Sequence, residues 1–432
     1  MKMTMKRIRT YFIRQTAIFR INLKDEEERQ SFYLVLEVLF ANILGSAAAF
    51  VATYAIRLGA TNTHIGLLSS LPALMAIVLS IPFGMFLQSR RNPLKWMLSS
   101  LAIHRFGYMS LAIVPFLASF FIPQGLMVVL IVVLVNIPAH LWGIGSMAFM
   151  REAIPPDRRA AVISARNMAS AAMVGISVFL LGLYLNSVKF PINYQIMFLV
   201  AGALSNLSTY FLMKVKVPAL TNQSIGSSQE TKTFISQFRQ LFTLLKERPV
   251  FSRFVINTLF HSVGFWIAGP LYVIYYVRQL GASDAWIGLS ATVANLVALV
   301  GWLLSRKLVI RWGEQNLLKR SMLIHAFYPI IIALVPHLTP ILIIIGLDSL
   351  ISPSLSLTHY NTLLHVLPKE RAQDASGLWS TIMNVGAFIC PMLGVTLANW
   401  LGIQPVLIMC GILALLGSLS FWIWPISIQT ES

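Results

Sequence analysis

The sequence is poor in charged residues, and this excludes an ordinary water-soluble protein. Charged residues make up 11% of the 432-residue chain, and hydrophobic residues make up 57%. A typical soluble chain is about 25% charged. A chain with so few charges cannot cover a surface that faces water, so we expect lipid to surround most of it.

Cysteine and metal-ligand patterns are also scarce. The two cysteines, Cys390 and Cys410, both fall in apolar runs, so a structural disulfide is not expected. The sequence contains no CxxC motif, no metal-ligand spacing among its eight histidines and no GxxxxGK[ST] phosphate loop. We therefore predict no metal, no cofactor and no direct use of ATP.

The net charge of +18 does not indicate a nucleic-acid partner, because the basic residues occur in short clusters between apolar runs. The N-terminal segment 1–30 is basic and lacks the uninterrupted apolar core of a signal peptide. We expect this segment to lie on the cytoplasmic surface of the membrane.

Long apolar runs predict about twelve transmembrane helices. A helix needs roughly 20 apolar residues to cross about 30 Å of hydrocarbon, and continuous apolar runs favour helices over a barrel. The predicted spans are 31–56, 65–87, 96–120, 125–149, 161–185, 191–213, 254–277, 284–305, 317–336, 339–363, 375–399 and 404–426. They form an all-α membrane protein with bundles at 31–213 and 254–426, a cytoplasmic central loop at 214–253 and a cytoplasmic tail at 427–432. The central loop is interpreted either as a surface helix in its second part or as a plain linker.

The distribution of basic residues predicts the orientation. With a cytoplasmic N-terminus, the outer loops hold only Arg57, Lys189 and Arg278, and nearly all other Lys and Arg fall on the inner side. We therefore predict a multi-pass protein of the cell membrane with both termini in the cytoplasm.

The two halves of the sequence resemble each other. The matched segments are 57–70 with 278–291, LAIHRFGY around His104 with MLIHAFYP around His325, and 153–159 with 366–372. Duplicated helical units are typical of secondary transporters. This pattern, with a long middle loop, resembles the major facilitator superfamily across essentially the whole chain. The resemblance implies a central cavity lined by helices 1, 4, 7 and 10, and we expect a monomer.

The loop motif of that family, G-x-x-x-D-R-x-G-R-R/K, is degenerate in both halves. Gln88 and Ser89 replace its acid and arginine, and Ile310 replaces the acid in the second half. The candidates for a cytoplasmic gate are Gly84, Arg90, Arg91, Glu152, Asp157, Arg158, Arg166, Arg311, Gly313 and Arg371. The alternative is that the basic residues are ordinary membrane anchors.

Ionisable residues inside the spans are the candidates for proton coupling, because a charge in lipid is costly and tends to face a cavity or a partner. They are Glu37, Asp348 and Arg105. Glu37 is predicted to carry a proton, and the alternative is a structural ion pair between Glu37 and Arg105. Asp348 has no obvious cation at its depth, so it is either a second proton site or a protonated acid that packs helix 10.

Further polar and aromatic residues on the spans are candidates for the substrate cavity. They are Asn42, Asn136, His140, Trp142, Asn257, His261, Trp266, His359, Asn361 and Trp379. The tryptophans are interpreted as an aromatic cavity wall or, alternatively, as core or membrane-interface residues. The repeat mates His104 and His325 are expected to be packing residues.

These features predict secondary active transport of a small organic solute, driven by protons. An acid in helix 1, the small number of charges expected in the cavity and its aromatic walls favour export of amphiphilic or drug-like compounds. Helix 5 has Gly175 and Gly182 but lacks the Gly-Pro-Gly signature of the family's antiporters, so proton-coupled uptake of a nutrient is the alternative. A third interpretation is a transporter-like sensor that no longer moves a solute. A membrane-embedded transferase is disfavoured because no cluster of acids or histidines is found at a membrane face, and we do not expect an enzyme.

Overall fold

The computed structural model describes residues 25–117, 122–156, 158–217, 245–368 and 371–426. In these ranges twelve helices are long and apolar enough to cross a membrane, which confirms the predicted fold class. They are α1 (Glu26–Arg57), α2 (Asn62–Gln88), α3 (Pro93–Phe116), α4 (Gln124–Ala153), α5 (Ala161–Ser187), α6 (Ile192–Met213), α7 (Pro249–Gln279), α8 (Asp284–Trp312), α9 (Glu314–Leu334), α10 (Leu338–Val366), α11 (Ala375–Leu401) and α12 (Ile403–Ile423).

The first helix begins at Glu26, earlier than the predicted residue 31, because the chain supplies a helix start there. Asp25 caps the helix by accepting a hydrogen bond from the Glu27 amide at 3.1 Å, and acidic residues fill the first turn, where they favour the helix dipole. Most of the predicted N-terminal segment and central loop, and the whole predicted tail, lie outside the described residues, as does Asp157.

The helix packing repeats between the two halves. In the first half α1 packs on α5 and α6, α4 packs on α2 and α3, and α3 packs on α6. In the second half α7 packs on α11 and α12, α10 packs on α8 and α9, and α9 packs on α12. The halves meet where α2 contacts α11 and where α5 contacts α8.

The loops before α2 and α8 show the same duplication in detail. Gly59 and Gly281 both have positive φ, at 83° and 66°, a conformation that glycine adopts without strain. Thr61 caps α2 and Ser283 caps α8. The second loop has one more residue between its arginine and glycine than the first, and a π turn at Tyr275–Gln279 accommodates it.

Among the described residues, the hydrophobic core is continuous between the halves at one end of the molecule and divided at the other. We call the face where α1 begins and α12 ends the terminal face, and the opposite face the sealed face. Toward the sealed face one cluster combines residues of both halves, for example Tyr54 with Tyr275. Toward the terminal face the core divides into one cluster around Phe149 and another around Phe254. The two halves are therefore joined at the sealed face and separate toward the terminal face.

Candidate functional site

A buried acid joins the two halves at the sealed face. Asp284, at the start of α8, has a side chain only 3% exposed and lies 2.9 Å from the Arg57 guanidinium of the first half. Tyr194 of α6 donates its hydroxyl hydrogen to the other carboxylate oxygen at 2.6 Å. Both partners of this carboxylate come from the opposite half, so separating the halves would break both contacts.

A second arginine makes the reciprocal connection. Arg278, in the second half, donates to the Asn62 side-chain oxygen at 2.5 Å and to the carbonyl of Ala60. Asn62 in turn donates to the side-chain oxygen of Asn399 on α11 at 2.8 Å. Charge patterning identified Arg57 and Arg278 only as outer-loop cations. The repeat between 57–70 and 278–291 was the signal that could have identified them as a matched pair.

Glycines bring α5 and α8 into close contact behind these polar groups. A Cβ atom on Gly182 would lie 3.0 Å from the Gly288 Cα and 2.9 Å from the Asp284 carbonyl oxygen. Deeper in the interface, Thr292 donates to the Gly175 carbonyl at 3.0 Å. Larger residues would hold these backbones apart, so Gly182 and Gly288 permit the seal.

The first half holds an acid–cation pair in its interior. Glu37 lies 2.7 Å from Arg166, and the two side chains are 6% and 14% exposed. Arg166 also donates to the Leu34 carbonyl. Arg105 instead donates to the Thr209 hydroxyl. The alternative of a Glu37–Arg105 ion pair is therefore corrected to a Glu37–Arg166 pair. Arg166 lies within α5, in agreement with the predicted span 161–185, and its role in a cytoplasmic gate stays a prediction.

The second half holds a matching pair. Asp348 of α10 lies 2.6 Å from the Nδ1 atom of His325 on α9, and the two side chains are 18% and 17% exposed. The His325 ring stacks on Phe265 at 4.0 Å between centroids. The sequence showed no obvious cation at the depth of Asp348, and the structure supplies His325 as its partner. The stacking on Phe265 agrees with the packing role predicted for His325, which the contact with Asp348 extends.

His104, the repeat mate of His325, bonds to a backbone carbonyl where His325 bonds to a carboxylate. His104 of α3 bonds through Nδ1 to the Val135 carbonyl of α4 at 2.9 Å, so its predicted packing role agrees with this contact. Each histidine connects two neighbouring helices of its own half through Nδ1, and in the described part of the chain only His325 has a carboxylate as its partner. The contact between His325 and Asp348 is therefore the feature of this position that sequence reasoning missed.

Most histidine and asparagine candidates for the cavity bond to neighbouring helices of their own half. His261 contacts the Ser418 hydroxyl at 3.0 Å, and its Nε2 atom is buried without a hydrogen-bond partner among the described residues. The other contacts are Asn42 to Ser170 at 2.9 Å, His140 to Ser80 at 3.1 Å, Asn257 to the Ser420 carbonyl at 3.4 Å, His359 to Thr258 at 3.0 Å, Asn361 to Glu314 at 2.8 Å and Asn136 beside Tyr108.

The three tryptophans do not form one wall. Trp142 packs on Phe149 of its own helix with ring centroids 5.5 Å apart. Trp266 packs against Gly386 between α7 and α11. Trp379 packs 5.3 Å from Phe254 in the core of the second half. A single aromatic cavity wall built from these residues is therefore wrong for this arrangement.

Comparison with known proteins agrees with this architecture. A sequence model described as Major Facilitator Superfamily matches residues 33–362 and 254–431. This chain belongs to the major facilitator superfamily. No curated protein sequence matches it at a significant level.

Solved transporters of this superfamily share the fold at low sequence identity. An inward-facing, unoccupied bacterial homolog of the human lysosomal transporter Spinster is 15% identical, with a TM-score of 0.65 over 93% of this chain and 97% of that one. A point mutant of the nucleoside transporter NupG is 13% identical, with a TM-score of 0.68 over 91% and 99%. A POT family transporter bound to a thioalcohol-conjugated peptide is 15% identical, with a TM-score of 0.68 over 93% and 96%.

The terminal face of this superfamily member carries anchors and pairs that stay within one half. Arg90 lies over the Phe86 ring at 4.4 Å and over Trp96 at 5.1 Å. The other gate candidates are Gly84 within α2, exposed Arg91 and Arg311, Gly313 at the turn between α8 and α9 (φ 74°), Glu152 beside Arg151, Arg158 beside Glu27 at 3.4 Å, and Arg371 beside Glu247 at 3.9 Å. These pairs do not bridge the halves, which fits the divided core at this face.

Proposed function

We propose that this protein is a proton-coupled secondary transporter that moves a small organic solute by alternating access and exports amphiphilic compounds. The observation that carries the proposal is the presence of one acid–base pair inside each half, Glu37 with Arg166 and Asp348 with His325. Buried charged groups are costly in lipid and are retained where they serve transport or pair with one another.

The two acids and their partners lie well inside their helices. At 1.5 Å per residue, Glu37 is ~16 Å along α1 from Glu26, and His325 is ~16 Å along α9 from Glu314. Both pairs therefore lie within the predicted apolar spans and not at their ends, as a site that is reached in turn from the two faces requires.

Each pair offers a proton a place to bind without separating the halves. A proton on Glu37 removes the negative charge that attracts Arg166. A proton on the Asp348–His325 pair raises the net charge of that pair by one. Each pair lies within its own half, so protonation of a pair changes the charge of that half alone. The contacts between the halves depend instead on Arg57, Asp284 and Arg278. We propose that solute binding and protonation together set the stability of the seal.

We place the terminal face in the cytoplasm. The sealed face carries few basic residues, and the terminal face carries the cation–aromatic pairs Arg90 with Trp96, Lys319 with Trp422 and Arg320 with Trp312. Basic residues are retained on the cytoplasmic side, and tryptophans favour the membrane interface. In this state the two halves are then in contact on the outer side and separate on the cytoplasmic side, so a solute enters from the cytoplasm.

The proposal is tested with the purified protein in sealed liposomes and ethidium as the probe. Ethidium is a permanent cation, so an acidic lumen cannot trap it by protonation. Export by proton antiport predicts accumulation when the lumen is acidic, and uptake by symport predicts accumulation under the opposite gradient. The sign of the effect does not depend on the orientation of the protein in the liposome.

Matched variants identify the coupling groups. Glu37→Gln and Asp348→Asn should each reduce gradient-driven accumulation at least about tenfold, a factor that corresponds to about 1.4 kcal/mol. Glu26→Gln removes an exposed acid that pairs with Lys216 at the terminal face and serves as the control. Parent-level accumulation with unchanged pH dependence in both test variants would reject the proton assignment.

A further inference from the structure

The sealed face contains a depression at the junction of the two halves. Its volume is about 610 Å³, and its lining includes Ala60, Thr61 and Asn62 from the first half with Arg278 and Asn399 from the second. Small-molecule sites commonly have volumes of about 300–1,000 Å³. The depression is wide and largely open to solvent, so it has room for a small organic molecule, and its lining offers contacts from both halves.

The depression contains a cation, Arg278, that has no acid partner among the described residues. Arg278 donates to an amide oxygen and a backbone carbonyl, which are both neutral. In the described part of the chain, no carboxylate lies within ion-pair distance of Arg278. A guanidinium binds carboxylates in preference to neutral acceptors because charge-assisted hydrogen bonds are about twice as strong.

The internal duplication shows which partner is missing. Arg57 and Arg278 each precede a positive-φ glycine, and each reaches across to the first residue of the helix that follows the equivalent loop in the other half. Arg57 meets the carboxylate of Asp284 there, whereas Arg278 meets the amide of Asn62. The pseudo-symmetric position thus has an asparagine where its counterpart has an aspartate.

We propose that the depression beside Arg278 binds a small carboxylate from the medium at the sealed face. The ligand carboxylate pairs with the Arg278 guanidinium, as the Asp284 carboxylate pairs with Arg57. The start of α2 adds favourable electrostatics, because a helix N-terminus attracts anions. Ile56 and Gly59 form an apolar part of the lining, which suits a short organic chain.

The bound carboxylate stabilises the sealed state. Arg278 and Asn399 belong to one half and Asn62 to the other, so a ligand that contacts all three resists their separation. A ligand that binds only one of two states shifts the equilibrium toward that state. An external carboxylate would therefore act as a regulator of opening at the sealed face, whatever solute the central site carries.

The experiment measures thermal unfolding of the purified full-length protein by tryptophan fluorescence with sodium propionate as the probe. Sodium chloride and sodium phosphate at the same ionic strength are the comparison salts. We expect propionate to raise the Tm of the parent by about 2 °C in a saturable manner, beyond any change in chloride. An equal rise in phosphate or chloride would overturn the assignment of a carboxylate site.

Two variants make the result specific. Arg278→Gln should lose the propionate response. Asn62→Asp places a carboxylate next to Arg278 within the chain, so it should also lose the response to propionate. Lys189→Gln removes another exposed cation of the sealed face and should keep the response of the parent. A propionate response in Arg278→Gln or Asn62→Asp equal to that of the parent would overturn the proposal.

Discussion

Replacing Asp284 with asparagine should weaken the closure of the sealed face. Asp284 has a side chain 3% exposed and bonds to Arg57 and Tyr194 of the other half at 2.9 and 2.6 Å. Asparagine keeps the size of the side chain and one acceptor oxygen, so it removes the charge with little change in packing. The variant therefore tests the carboxylate and not the shape of the interface.

The size of the effect follows from these two contacts. A hydrogen bond to a charged acceptor contributes about 1.5–3 kcal/mol, and a neutral one contributes about 1 kcal/mol. The Arg57 side chain is 34% exposed, so its ion pair contributes no more than about 1 kcal/mol. The net loss is about 2 kcal/mol, which shifts the ratio of sealed to opened molecules roughly thirtyfold.

The assay is a distance measurement between spin labels across the sealed face. Lys189 and His337 are exposed and belong to different halves, and the native cysteines are replaced by alanine. We expect the Asp284→Asn variant to gain a population at longer distances than the parent. The Glu26→Gln variant, changed at the terminal face, should match the parent. Identical distance distributions in the parent and in Asp284→Asn would refute the reasoning.

The other predictions concern the two acid–base pairs and the glycine contact. His325→Asn should flatten the pH profile of transport because it removes the basic partner of Asp348, whereas His104→Asn should keep the profile because His104 bonds only a backbone carbonyl; equal profiles would contradict this distinction. Arg166→Gln should lower the free energy of unfolding by about 3–5 kcal/mol because it leaves Glu37 buried without its cation, and adding Glu37→Gln should restore part of the loss. Equal unfolding midpoints in denaturant for the single and double variants would argue against the pair. Gly182→Leu should prevent close contact of α5 with α8, so the spin labels should report the longer distance, and the sealed distance in this variant would show that the contact is not needed.

The sequence predicted the helices well because hydropathy and length alone decide which segments can cross a membrane. The short breaks between the predicted spans 96–120 and 125–149 and between 317–336 and 339–363 agree closely with the structure, where Pro123 and His337 are the residues before α4 and α10. The repeat between 57–70 and 278–291 also appears in the structure, down to the two positive-φ glycines. Local chain properties were sufficient for these features.

Side-chain partners were harder to predict, because hydropathy does not give the rotation of a helix that is apolar on all sides. Arg166 was placed near the membrane surface, yet it turns toward α1 and pairs with Glu37. Trp142, Trp266 and Trp379 were interpreted either as one aromatic wall or as core or interface residues, and each packs in a different place. His325 was interpreted from its likeness to His104. That likeness gave no sign that Asp348 contacts His325, because His104 bonds to a backbone carbonyl instead.

Proton movement driven by the solute alone tests the central claim most directly. Liposomes containing the protein and a trapped pH-sensitive dye, with equal pH on both sides, receive ethidium outside. Proton antiport predicts that the lumen becomes more alkaline as ethidium enters, and that Glu37→Gln and Asp348→Asn abolish this change. Entry of ethidium at the full rate with a constant lumen pH would contradict the account.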